Sequence, residues 1–326
     1  MRVHTAASEA FLAGFRIPLI AAPMTGVSSY ELVAAAASNG IGASFPVHNA
    51  DSPVEVDRWL SGVRGLPGPV MPNLVVHKTN QRLNDDLDVI ISHRVPAVIT
   101  SVGSPRDIVQ PLHDVGILVF SDVASMRHVQ RAIAVGVDGL VLLSAGAGGQ
   151  TGWINPLVFV RAVRRVWDGP LVLAGGITDG TSMLSALVAG YDLVYMGTPF
   201  IATQESAAEQ SYKDAVVAAS VDDIMLTSEL TGLPANMIRP AVPVGHRRGT
   251  VGDFNMGVLS EGHDSPDAGS AFRFSAGHSA AGVDGVLSAS DLIAQVETEY
   301  HAARALARPV APTKSFDGIS RTFGDR

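Results

Sequence analysis

Leu171-Val-Leu-Ala-Gly-Gly-Ile-Thr-Asp-Gly-Thr-Ser-Met-Leu-Ser-Ala-Leu-Val-Ala-Gly-Tyr-Asp-Leu-Val-Tyr-Met-Gly-Thr-Pro199 is the stretch whose reading decides the fold. Two unbroken apolar runs, 171–174 and 193–196, each end on glycine and flank a segment, 181–189, long enough for a helix. Unbroken apolar runs are what strands buried on both faces look like, and a helix between two of them makes the pair parallel. Working upstream, the same unit recurs. Further runs lie at 17–21, 41–45, 69–73, 97–100, 117–120 and 139–143, which makes eight in all. Between them lie 29–39, 52–64, 80–94, 105–115, 125–135 and 155–167, several of which open on Ser or Asn, residues that cap helices. Eight strand–helix units close a barrel, so the expectation is an α/β chain with a (β/α)8 TIM barrel, ahead of an open doubly wound sheet.

After the eighth run the pattern changes. Residues 205–220 read as one more helix, while 222–289 are rich in Gly, Pro, His and Ser and carry no strand–helix unit. The expected organisation is a barrel from 1–204 and 290–310, with a smaller substrate-side lobe, 205–289, inserted after strand eight. Leu292, Ile293, Val296 and Tyr300 have helical spacing behind Ser290 as N-cap, which predicts the last barrel helix. The tail, 311–326, has too little apolar content to pack independently and is expected to be partly disordered.

Composition narrows the function classes. With 326 residues, 47% hydrophobic content and a mean hydropathy of +0.25, the chain can bury a large core. A net charge of -8 and 23 scattered Lys and Arg offer no basic field for nucleic acid. Zero cysteines exclude disulfides, thiolate metal sites and a cysteine nucleophile. No window has eighteen consecutive apolar residues, so no membrane-spanning helix is expected. The first residues lack the apolar stretch of a signal peptide, and the expected compartment is the cytoplasm.

In a barrel the chemistry belongs to the loops that follow the strands. The loop after run seven, Ala174-Gly-Gly-Ile-Thr-Asp-Gly180, and the loop after run eight, Met196-Gly-Thr-Pro199, occupy the usual phosphate position, where glycine amides and a helix N-terminus face an anion. After run six comes Ser144-Ala-Gly-Ala-Gly-Gly-Gln-Thr-Gly-Trp153, whose glycines let backbone approach something flat. Its Gln150 can orient a ligand but cannot take a proton at neutral pH.

Five blocks carry a resemblance: Ala21-Ala-Pro-Met-Thr-Gly26, Ala145-Gly-Ala-Gly-Gly149, the 174–180 loop, Tyr195-Met-Gly-Thr198, and Phe200-Ile-Ala-Thr-Gln-Glu-Ser206 followed by Tyr212-Lys213. In this order, from about residue 17 to 281, the chain resembles the nitronate monooxygenases, formerly called 2-nitropropane dioxygenases. The resemblance implies FMN as cofactor in a barrel with a small lobe after strand eight. It implies that the backbone of Ala22, Pro23 and Met24 lies along the flavin ring and that Asn73 gives it a polar contact. Gly175, Gly176, Gly197 and Thr198 would hold the phosphate, with Gly148 and Gly149 beside the isoalloxazine. Asn73 as a strand-end cap and Met24 as core packing are the plainer alternatives.

The implied reaction is oxidation of a small-molecule nitronate, or a similar stabilised carbanion, by O2. An FMN reductase fed by NAD(P)H and acting on an enoyl thioester or quinone is the alternative, and a flavin-binding protein without nitronate chemistry is the third. The inosine-monophosphate dehydrogenases need a cysteine, and the FMN oxidases of 2-hydroxy acids need a His and Arg pair that loops six to eight do not offer. A dinucleotide site fares worse, because the turn at Gly146 misses the last glycine of G-x-G-x-x-G. Oligomeric state is open, with a homodimer among the options.

Three departures from the family bear on chemistry. Where nitronate-oxidising members end the turn with Gly-Gly-His, this chain has Gln150, which removes the imidazole base. Where relatives tend to read Ser-Ala-Gly-Gln-Gly, this one reads Ser275-Ala-Gly-His-Ser279. His278 could restore a titratable group from the opposite wall, or be an ordinary surface histidine. His246 and His263 are weaker candidates, since a metal site there lacks a third ligand. Asp122 follows strand five where some relatives place a lysine at the flavin's pyrimidine end. There a carboxylate would disfavour the anionic reduced flavin, unless it caps the next helix.

Overall fold

In the computed structural model, which describes residues 5–228, 232–239 and 274–307, eight parallel strands close into one barrel. They are β1 (Leu19–Ala21), β2 (Gly42–Pro46), β3 (Val70–Val75), β4 (Ala97–Ser101), β5 (Leu118–Val123), β6 (Gly139–Leu143), β8 (Leu171–Ala174) and β9 (Leu193–Met196), with β7 (Gly149–Gln150) outside the ring. Closure is made by β9 pairing with β1, Tyr195 opposite Ile20. All eight predicted runs are barrel strands, and the last three match the predicted limits.

Alternation along each strand sorts the apolar residues into two cores. Ile20, Met71, Ile99, Phe120, Val141, Val172 and Leu193 point into the lumen, while Leu19, Leu74, Val98, Val119, Leu140, Leu171 and Val194 meet the surrounding helices. That is why the runs are mostly apolar: both faces are buried. The helices α2 (Tyr30–Ser38), α3 (Pro53–Gly62), α4 (Leu83–His93), α5 (Arg106–His113), α6 (Met126–Ala134), α7 (Pro156–Val163) and α8 (Gly180–Ala189) form the outer layer. Ser29, Ser52, Ser125, Asn155 and Asp179 cap five of them by accepting from backbone N–H groups of the first turn.

The helix α1 (Ala6–Leu12), which the apolar pattern did not announce, packs its one aromatic residue into the base of the lumen. Phe11 meets Phe120 at 5.4 Å and Phe15 at 5.2 Å between ring centres. Gly139 makes room for this plug, since a Cβ there would stand 2.1 Å from the Phe120 ring.

Beyond the barrel lie α9 (Thr198–Ile201), α10 (Gln210–Ala218), β10 (Ile224–Thr227) and β11 (Ala235–Ile238). The strands β10 and β11 pair antiparallel, and β11 continues onto β7, so the small sheet recruits the glycine turn that follows β6. The last helix, α11 (Ala289–Leu306), packs against α8 and α2 and completes the outer ring. It begins earlier than predicted. Ser288 is its N-cap, accepting from the Asp291 N–H at 3.0 Å, whereas Ser290 takes a hydrogen bond from Asn39 at 2.8 Å. His246, His263 and the 311–326 tail lie outside the described residues. Among the described residues no helix is long and apolar enough to cross a membrane.

Replacing Phe11 with alanine unplugs the lumen without touching the opposite mouth. The expected loss is ~3–5 kcal/mol, the usual cost of truncating a buried aromatic. Denaturant unfolding checks this, and an unchanged midpoint would show that α1 does not seal the barrel.

Candidate active site

Towards the C-terminal ends of the strands the lumen turns polar. Alternation aims Asn73 of β3, Ser101 of β4, Asp122 of β5 and Tyr195 of β9 inward, above the apolar layers. Asn73 is buried, and its Oδ1 accepts from the Ser101 hydroxyl at 3.1 Å, leaving the amide N–H groups as what Asn73 can offer. Asp122 Oδ1 and the Tyr195 hydroxyl are sealed from solvent with no hydrogen-bond partner among the described residues. Burial pushes the Asp122 carboxyl up to about 7, and raises the Tyr195 hydroxyl well above its ordinary value with help from the Asp122 charge. Asp122 is not the cap of α6: Ser125 holds that place, accepting from the His128 N–H at 3.2 Å.

Over this layer lies the glycine turn. Ser144 is fully buried and donates to the Ala174 carbonyl at 2.9 Å, and Thr151 returns the chain by donating to the Ser144 carbonyl at 3.0 Å. From the lobe, Asn236 of β11 donates to the Ala147 carbonyl at 2.7 Å. The 275–278 segment presses on the same turn. A Cβ on Gly148 would stand 2.6 Å from the Gly277 nitrogen, one on Gly277 would stand 2.3 Å from the Gly146 oxygen, and the His278 N–H donates to that oxygen at 3.2 Å. Glycine is required on both sides because the backbones touch.

Tyr212 anchors this segment by stacking on Phe274 and donating to the Ser275 carbonyl. Burial pushes its hydroxyl up to about 12, so it stays a donor. The buried Lys213 beside it donates to the Ser206 carbonyl at 3.1 Å. The Tyr-Lys pair is lobe architecture.

The two exchanged residues are thus on segments in contact, yet they do not converge. Gly146 faces His278 and Gly149 faces Ser275, so the segments run antiparallel. Gln150, exposed and paired through β7 with Ala235, continues past the Ser275 end, while the exposed His278 stands at the Gly146 end.

On the anion side, Gly175 and Gly176 differ. Gly175 has φ +125 and a Cβ there would meet the Ala147 nitrogen and Ser144 Oγ at 2.9 Å. Gly176, at φ +78, is exposed, with nothing within 4 Å of a Cβ among the described residues. A Cβ on Gly197 would lie 3.6 Å from Met24 Sδ, and the Thr198 hydroxyl accepts from the Gly277 N–H at 2.9 Å. The helix N-terminus expected to face the anion is already taken. Asp179 caps α8 and the Gly180 N–H donates to Glu299 at 3.0 Å, so two carboxylates sit there. What the two loops can still offer an anion is the backbone of the 175–176 and 197–198 turns.

Loop one is held from loop two. Asn49 donates to the Met24 and Ser28 carbonyls at 2.9 and 3.0 Å and accepts from the Gly26 N–H at 3.0 Å. The Met24 N–H donates to Ser28 Oγ at 3.0 Å, so the backbone of Ala22, Pro23 and Met24 has surface rather than hydrogen bonds at Met24 to offer a ligand. His48 Nε2 lies 3.1 Å from Thr25 Oγ1, and its Nδ1 is buried without a partner among the described residues. Burial, then the Arg82 charge, pull His48 down to about 4. Neither Asn49 nor His48 nor Asn236 carried a signal in sequence, because each acts only across two loops.

The family model described as nitronate monooxygenase matches residues 69–245, just over half of the chain. The chain belongs to that family and is an oxidoreductase. A nitronate monooxygenase of Pseudomonas aeruginosa is 30% identical over 272 residues, covering 69% of this chain and 77% of the relative. A relative from Mycobacterium tuberculosis is 34% identical over 157 residues, and there the match covers 48% of this chain and spans 42% of the relative's length. Two solved structures share the fold. Nitroalkane oxidase from Streptomyces ansochromogenes has a TM-score of 0.79 at 23% identity, covering 92% of this chain and 100% of that one. FabK from Thermotoga maritima has a TM-score of 0.75 at 24% identity, covering 93% and 98%.

The His48 shift predicts an acid limit to stability. Its folded value lies below the ordinary 6.5, so its contribution is complete above pH 6.5 and is lost as pH falls through about 4. The loss is at most ~3 kcal/mol. Thermal unfolding between pH 7 and 4 should show a shallower decline for His48→Gln, and parallel declines would contradict this assignment.

Proposed function

We propose that this protein is an FMN-dependent enzyme that oxidises a preformed nitronate, or a similar stabilised carbanion, with O2 as electron acceptor. The observation that carries the reading is a space before Gly176, open among the described residues, together with polar atoms at the inward strand ends that have no partner among those residues. Such a place suits a ligand with an anionic end and a polar ring. The residues fit FMN: Gly175, Gly176, Gly197 and Thr198 would hold the phosphate, and Ala22, Pro23, Met24, Asn73, Gly148 and Gly149 would border the ring. When bound, the flavin supplies two-electron redox chemistry.

The chain's own contribution is binding and orientation. Gln150, on the exposed edge of the turn, hydrogen-bonds a nitro, nitronate or carbonyl oxygen and takes no proton, so the substrate arrives already deprotonated. His278 and Gly176 both border Gly146, so its imidazole would lie on the side of the anion rather than of the substrate carbon. The lobe is fixed to the turn through Asn236, and Tyr212 holds the 275–278 segment against it.

A second reading is an FMN reductase taking hydride from NAD(P)H and passing it to an enoyl thioester or quinone. Gln150 favours it, because hydride transfer to flavin needs no side-chain base at that position. Anaerobic mixing separates the two. Flavin bleaching by nitronate supports the first, bleaching by NADH or NADPH alone supports the second, and bleaching by neither leaves a flavin-binding protein. Within the first reading, Gln150→His should raise turnover of neutral nitroalkane at least ~10-fold more than turnover of nitronate, as an added general base would. Equal gains on both substrates would remove the assignment of Gln150.

A further inference from the structure

Two atoms in the lumen are anomalous. A buried polar atom without a partner is costly, and Asp122 and Tyr195 place two atoms unpartnered among the described residues at inward-facing positions near the C-terminal ends of β5 and β9. They are near enough for the Asp122 charge to act on Tyr195. Asp122 is sealed at Oδ1 yet partly accessible as a residue, so its other oxygen is the side open to the mouth.

Among the described residues, no cation offsets the burial of Asp122. Its pairing partner on β6 is Val141, and β4 contributes Thr100 and Ser101, all uncharged. On α6, Arg127, His128 and Arg131 lie beyond the strand end, with His128 Nδ1 accepting from the Ala124 N–H at 3.4 Å and held below its ordinary value by burial and the two arginines. Burial alone raises Asp122. A carboxyl in such a place is a hydrogen-bond donor at neutral pH and below, as a carboxylic acid in an apolar site is.

We propose that Asp122 and Tyr195 form a pair of neutral O–H donors that binds the acceptor edge of the flavin's pyrimidine ring from inside the barrel, with Asp122 as its proton-gated member. The proposal rests on the FMN reading above. With its proton, Asp122 donates to a ring carbonyl or ring nitrogen. Without it, a carboxylate faces those same lone pairs and repels them. This revises the expectation that a carboxylate at this position opposes the reduced flavin: burial favours the protonated form, and charge on the ring favours it further.

The test titrates flavin-free full-length protein with FMN between pH 5.5 and 8.5, following fluorescence quenching and the visible spectrum of the bound flavin. The FMN phosphate also ionises in this range, so the readout is the difference between wild type and Asp122→Asn, which keeps a donor and loses the titration. Wild type should lose about tenfold more affinity than the variant from pH 6 to 8, with a matching spectral break. Tyr195→Phe should weaken binding about fivefold at every pH and keep the break. A protonated-carboxyl band in the infrared difference spectrum of FMN binding, absent in Asp122→Asn, guards against a merely misfolded variant. Parallel pH profiles in wild type and Asp122→Asn, with FMN bound by both, would overturn this inference and leave the FMN reading standing. Failure of wild type to bind FMN at any pH would overturn both.

Discussion

Backbone contact between 146–149 and 275–278 is the constraint on which the site depends. Where a Cβ at Gly148 or Gly277 would stand within 2.6 Å of the facing chain, no side chain can be accommodated, and the lobe and the barrel meet as two bare backbones. That contact fixes the loop after β6 and carries the lobe through Tyr212 and Phe274. It also leaves the space before Gly176 unfilled. Glycine here serves close approach, and the chemistry is left to the few side chains around it.

Much of the barrel was legible because its strands are dry on both sides. Gly139–Leu143, Leu171–Ala174 and Leu193–Met196 could be read to the residue, since continuous apolar runs of this length have few other uses. The N-terminal plug was not legible: Ala6–Leu12 has one strong anchor, Phe11, and its meaning depends on a ring of strands that is not local. The two-residue β7 and its partner β11 were missed for the same reason, because pairing across the lobe has no periodicity to display. The helix start at Ser288, two positions before the predicted cap, shows the limit of boundaries read from capping residues alone.

The site divides in the same way. The glycine loops stood out because glycine clusters are rare within apolar runs, and in the structure Gly176 is open on its Cβ side among the described residues while Gly197 lies against Ala22 and Met24. The significance of Asp122 and Tyr195 was hidden, since an unpaired atom becomes costly only once the barrel closes around it. The exchange between Gln150 and His278 had a sequence signal, but the antiparallel run of their segments carries the two residues to opposite ends, which sequence spacing cannot show. Together these features suit the proposed reading, in which the chain binds and orients with polar donors and the substrate arrives as an anion.

The central claim, a flavin phosphate seated before Gly176, is tested most directly by calorimetric titration of flavin-free protein with FMN, alongside Gly176→Val. A side chain there must adopt φ +78 and project into the open space. The account predicts one FMN per chain for the native protein and loss of binding in a variant that remains folded. FMN binding that is unaffected by Gly176→Val would contradict it.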